Sequence, residues 1–149
     1  MVLEATEMTL NTTELLMIPL LPLIGALAAG LFGWLLKDTL SHIITSGSVI
    51  LAAILSIHVF MQVLDGAEFY GNFWTWIASG GFVVQIGMMI DPLTAIMMVT
   101  VTVVSACVHI YTIGYMHGDP GYPRFFAYIC AFTFSMLILV MGNSFFTLF

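Results

Sequence analysis

His58 and His109 are the residues of this sequence best suited to moving a proton, because each lies inside a long stretch without formal charge. No carboxylate or lysine falls within those stretches, although proton and ion pathways through a bilayer normally need ionisable groups at depth. Each histidine precedes the end of its expected helix, at Leu64 or Tyr115, by about 9 Å at a rise of ~1.5 Å per helical residue. Neither therefore reaches mid-depth. A neutral imidazole bonded to a nearby hydroxyl or carbonyl is the ordinary reading of both. A proton relay is the sharper one, and it suits His109 better than His58.

The remaining polar chemistry is sparse. His117 sits near Asp119 and Arg124 in a turn-like segment, which reads as a solvated turn or, more sharply, as a contact with a partner subunit. The four histidines lack metal-ligand spacing, and the eleven methionines are spread as packing or lipid-facing residues. Cys107 and Cys130 lie in different apolar runs and read as packing residues. With no phosphate loop, nucleophile arrangement or paired carboxylates, spacing alone assigns no catalytic, cofactor or metal site. Nucleic-acid binding is excluded, because only Lys37 and Arg124 are basic and no patch exists to neutralise phosphates.

The elements that must position these residues are set by the uncharged runs: Leu15–Leu36, Thr39–Leu64, Pro92–Gly118, and Phe125 onward. Each is long enough for a bilayer core of about 30 Å, which takes roughly 20 helical residues. The chain is 61% hydrophobic and 7% charged, against about 25% charged for soluble domains. The expected fold is an all-α polytopic membrane protein with spans at about 15–36, 40–64, 92–115 and 125–141.

Residues 1–14 read as a polar, acidic tail. A signal peptide is disfavoured because Glu4, Glu7 and Glu14 precede the first apolar run with no basic residue. In the first span, Gly25, Ala29 and Gly33 form a stripe of small residues suited to close helix approach. The second span carries His42, Thr45, Ser46, Ser48, Ser56, His58 and Gln62, so it should be buried among neighbours, some of them outside this chain. Between about 66 and 90, β-prone runs flank Ser79-Gly80-Gly81 and predict a surface hairpin, with Trp74 and Trp76 suited to the membrane interface. Asp91 and Pro92 form a strong helix start. After Gly142-Asn143-Ser144, Phe145–Phe149 resumes an apolar run, read as the start of a fifth helix cut short.

Four spans place Lys37 and Arg124 on one face, with Glu4, Glu7, Glu14, Asp65, Glu68 and Asp91 on the other. The positive-inside rule then predicts an external N-terminus and hairpin, with both basic residues inside.

Several motifs together resemble the large antiporter-like subunit of respiratory complex I, the proton-translocating NADH–quinone oxidoreductase. They are Asp91-Pro92-Leu93-Thr94, His109-Ile110-Tyr111, Gly114-Tyr115-Met116 and above all Tyr122-Pro123-Arg124-Phe125-Phe126-Ala127-Tyr128. Leu21-Pro22-Leu23-Ile24-Gly25 and Phe73-Trp74-Thr75-Trp76 fit as well. Pro123 departs from the small polar residue of many relatives. The resemblance implies a multi-pass protein of the bacterial inner membrane, partnered by other membrane subunits of the complex. NADH, FMN, iron–sulfur clusters and quinone would be held by other subunits, and this chain would bind no cofactor. It also implies working glutamate and lysine residues on later helices, beyond this sequence, so the chain reads as an N-terminal portion not expected to be active by itself. Related sodium/proton antiporter or membrane-bound hydrogenase subunits, and a helical scaffold without transport, are the competing readings.

Overall fold

A computed structural model describes residues 10–35 and 37–143. The start of the acidic tail, Leu36 at the expected end of the first span, and the apolar run Phe145–Phe149 lie outside the described residues.

Four long helices and a hairpin follow one another as α1 (Thr12–Phe32), α2 (Asp38–Leu64), β1 (Phe69–Ser79), β2 (Phe82–Ile90), α3 (Pro92–Tyr115) and α4 (Tyr122–Met141). All four helices are long and apolar enough to cross a membrane. The 21 residues of α1 extend about 32 Å at ~1.5 Å each.

Four helix limits differ from the expected spans: α1 ends at Phe32 instead of about Leu36, α2 starts at Asp38 instead of about Leu40, and the starts of α1 and α4 also move. α1 begins at Thr12, so Glu14 belongs to its first turn rather than to a tail. Leu10 and Leu15 occupy the positions of a hydrophobic staple and share one buried cluster, which fixes the entry of the chain ahead of the apolar run. α4 begins at Tyr122, so Pro123 opens the helix instead of closing the preceding turn. A first-turn proline loses no intrahelical bond, and its φ already suits the helix.

α1 lies against both α2 and α4, and α2 against α3, whereas α3 meets α4 more sparingly. The small-residue stripe of α1 is divided between two neighbours. A side chain at Gly25 would meet Ser48 on α2, while one at Gly33 would meet the Pro123 ring, 2.9 Å away. Ile24, Leu27 and Leu31 on α1, Ile43 and Ile54 on α2, and Val104 and Phe132 on α3 and α4 point outward. An apolar exterior around a bundle with buried hydroxyls suits lipid as the surrounding solvent.

The hairpin is antiparallel, paired from Phe69↔Ile90 to Ser79↔Phe82. Register shifts between Asn72 and Trp74 and between Thr75 and Ile77 leave two extra residues on β1, as in β-bulges. Gly80 and Gly81 have φ of 57° and 90°, which the two-residue turn requires. The base of the hairpin is anchored: Met88 and Ile90 join Val63, Met98, Leu137 and Met141 in the main buried cluster. An isolated bridge joins Met88 to Gly142, and the Asn143 Nδ2 donates to Asn72 Oδ1 at 2.7 Å.

Candidate functional site

Connections between successive helices alternate between the two ends of the bundle. At one end the α1–α2 and α3–α4 turns meet, as the Gly33–Pro123 approach shows, which brings Lys37, Asp38, Asp119 and Arg124 together at that end. At the opposite end lie Glu14, Asp65, Glu68, the hairpin and Asp91. Asp91 caps α3 by accepting the Thr94 backbone N–H at 2.6 Å, and this bond holds its carboxyl below the ordinary carboxylate range.

Between these ends, α3 and α4 share a buried polar cluster. Ser105 and His109 are one helical turn apart on α3, and Cys130 and Thr133 occupy the facing stripe of α4. His109, Cys130 and Thr133 are fully or almost fully buried. Their donors and acceptors allow one consistent proton arrangement. Thr133 Oγ1 donates to the Ile129 carbonyl at 2.9 Å, so Ser105 Oγ, 2.6 Å away, donates to Thr133. His109 Nδ1–H donates to the Ser105 carbonyl at 2.7 Å. In the neutral ring this leaves Nε2 as an acceptor, 3.2 Å from Cys130 Sγ, so the thiol donates to it. The same sulfur lies 3.8 Å from the Thr45 carbonyl on α2. The thiol therefore has a second acceptor if Nε2 gains a proton and becomes a donor.

A second polar pair lies toward the basic end. Tyr122 OH is 2.9 Å from His42 Nδ1, joining the start of α4 to the first turns of α2. Phe126, fully buried, lies beside both histidines, its ring centroid 6.4 Å from that of His42 and 5.9 Å from that of His109. An apolar ring thus stands between the two polar groups.

His58 is set apart from this cluster. It lies on an exposed part of α2, where the Gln62 amide nitrogen is 3.0 Å from its Nε2. The same Nε2 is 3.9 Å from Glu14 Oε2, an ion pair only when the imidazole is protonated. The sequence pattern puts this carboxylate in the tail, because the first apolar run begins one residue later. Inside α1 it supplies a titratable partner at the hairpin end of the bundle. His117 is exposed in the turn after α3.

The strongest motif of the sequence divides by face. Tyr122, Phe126 and Ala127 point inward, whereas Arg124, Phe125 and Tyr128 are exposed. Cys130 and Tyr122 were missed as site residues because their partners lie far away in sequence. Helical periodicity marks their inward face but not what meets it. Three hydroxyls of the polar second helix, those of Ser41, Ser46 and Ser56, are buried without a hydrogen-bond partner among the described residues.

Residues 76–126 match the family model for the N-terminus of NADH-ubiquinone oxidoreductase (complex I) chain 5. NADH-quinone oxidoreductase subunit L of Neisseria meningitidis serogroup B is 49% identical over 142 residues, covering 93% of this chain and 21% of that protein. NADH-ubiquinone oxidoreductase chain 5 of Cryptococcus neoformans is 44% identical over 87% of this chain and 20% of its own length. The chain 5 protein of Arabidopsis thaliana is 43% identical over 90% of this chain and 20% of its own length. The chain spans about a fifth of the length of these relatives. The chain belongs to the family of complex I subunit L and chain 5 proteins.

Proposed function

We propose that this chain forms the N-terminal membrane region of a proton-translocating subunit of NADH–quinone oxidoreductase. In this reading, NADH oxidation and quinone reduction on other subunits drive protons across the membrane. The observation that carries it is the likeness to subunit L and chain 5 proteins along nearly the whole chain. The partners are other membrane subunits of the complex, which with the peripheral subunits hold NADH, FMN, iron–sulfur clusters and quinone. A sodium/proton antiporter reading has less support, because these relatives are named as oxidoreductase subunits.

In this reading the chain lies in the bacterial inner membrane with Lys37 and Arg124 cytoplasmic and the hairpin periplasmic. Support comes from the positive-inside rule and from the gathering of both basic residues at one end of the bundle.

Within the chain, His109 is the relay position. Its two ring nitrogens bond in different directions, to the α3 backbone and to Cys130 on α4. Cys130 has the Thr45 carbonyl as a second acceptor. A proton can therefore arrive at Nε2 without stranding the thiol hydrogen.

A chimera tests the reading as a whole. Grafted over the aligned region of the Neisseria meningitidis subunit L, this chain should restore NADH-driven proton pumping that persists without sodium. Assembled complex that transfers electrons but moves no protons, or moves them only with sodium, would overturn it.

A further inference from the structure

At the basic end, the last turn of α1 and the first turn of α4 part to leave a cleft of about 660 Å³. This lies within the ~300–1,000 Å³ common for small-molecule sites. Its lining includes the small residues Ala29, Gly30 and Gly33 together with Trp34 and Arg124. The two helices approach closely beside it, Gly33 facing Pro123 and Gly30 facing Ala127.

Trp34 is 90% exposed, just past the end of α1, where an indole suits the headgroup level of a membrane. Ala29 lies one turn back inside α1, about 4.5 Å from Phe32 along the axis at ~1.5 Å per residue. The cleft thus runs from headgroup depth into the acyl region. Arg124 is exposed and has no ion-pair or hydrogen-bond partner among the described residues. Its planar guanidinium matches a phosphate bidentately. Gly121, also in the lining, caps α4 without a side chain, which leaves the positive end of that helix dipole on the same wall. The nearest acid in sequence, Asp119, is turned back to accept the Gly121 N–H at 2.7 Å.

We propose that the cleft between the end of α1 and the start of α4 binds one anionic phospholipid, its phosphate on Arg124 and an acyl chain along Ala29, Gly30 and Gly33. The choice of an anionic lipid rests on charge: the guanidinium and the helix N-terminus both favour a net negative headgroup, and a choline cation would lie against them. This site is independent of the proton step.

The test uses the whole complex containing the full subunit, delipidated and placed in phosphatidylcholine nanodiscs. A photoactivatable phosphatidylglycerol and its phosphatidylcholine counterpart are compared, with adducts mapped by peptide mass spectrometry. The phosphatidylglycerol probe should label residues 29–34 and 120–124 about fivefold more than the choline probe, the effect of one basic residue at an anionic surface. Arg124→Gln should erase that preference, while Gly30→Leu should reduce labelling by both probes. Inorganic phosphate should not compete, because it lacks the chain that fills the cleft. Equal labelling by both probes, a preference that survives Arg124→Gln, competition by phosphate, or an unlabelled cleft filled by a protein segment would each overturn the proposal.

Discussion

His109 Nε2 lies 3.2 Å from the sulfur of Cys130, across the interface between α3 and α4. The pair joins the buried imidazole of one helix to a thiol that also reaches the Thr45 carbonyl of a third. Packing, hydrogen bonding and any relay role of this chain meet at that contact.

Removing the thiol should leave Nε2 buried without a donor. Cys130→Ala should therefore lower stability by about 1–3 kcal/mol, the penalty of an unsatisfied buried polar group. Cys130→Ser keeps a donor and should recover much of the loss. Thermal unfolding of the detergent-solubilised subunit within its complex measures both, and equal losses for the two variants would argue against the hydrogen bond.

Ser105 and Thr133 form a 2.6 Å bond between α3 and α4, the two helices that otherwise meet sparingly. A double-mutant cycle with Ser105→Ala and Thr133→Val should give a coupling of about 0.6–2 kcal/mol, the range for hydrogen bonds between membrane helices. Additive single effects would mean the hydroxyls do not interact.

Two glycines should differ sharply in tolerance. Gly25 faces Ser48 closely, and Gly25→Leu should cost about 1–3 kcal/mol through overpacking between α1 and α2. A side chain at Gly47 meets nothing within 4 Å, so Gly47→Ala should be neutral or stabilising by up to ~1 kcal/mol. Melting temperatures of the two variants check the contrast.

Asp91 supplies a pH signature. Its carboxyl is held below the ordinary carboxylate range, chiefly by the Thr94 N–H, so the folded state favours the ionised cap. That contribution is complete above the unfolded pKa and disappears as pH falls through the depressed folded value. Asp91→Asn keeps an N-cap but removes the titration, so its stability should fall less than that of the wild type on acidification. Asp91→Ala should cost about 0.5–2 kcal/mol at neutral pH. Unfolding measured across acidic and neutral pH separates these outcomes.

The four helices were legible because a membrane demands long apolar runs, and Lys37 and Arg124 punctuate them. The hairpin was legible in Gly80-Gly81, whose positive φ values the turn needs. The helix starts were less so. Glu14 is polar, and Pro123 serves both turns and first helical turns, so charge and turn chemistry misplaced the ends of α1 and α4 by a few residues. The site was legible one residue at a time. His109 stood out by type, whereas Cys130 looked like ordinary packing, since the register of α3 against α4 is a tertiary fact. The same holds for His42 and Tyr122, paired across most of the chain, and for the placement of Glu14 beside His58.

The most direct measurement is the ratio of protons translocated to NADH oxidised by the assembled complex carrying His109→Leu, compared with His109→Gln and wild type. Leucine abolishes both ring contacts and any proton site, while glutamine keeps a polar bridge but cannot carry a proton at neutral pH. The account predicts that both variants assemble and transfer electrons, and that both pump fewer protons per NADH. An unchanged ratio in both variants would contradict it, leaving His109 as a packing residue that holds α3 against α4.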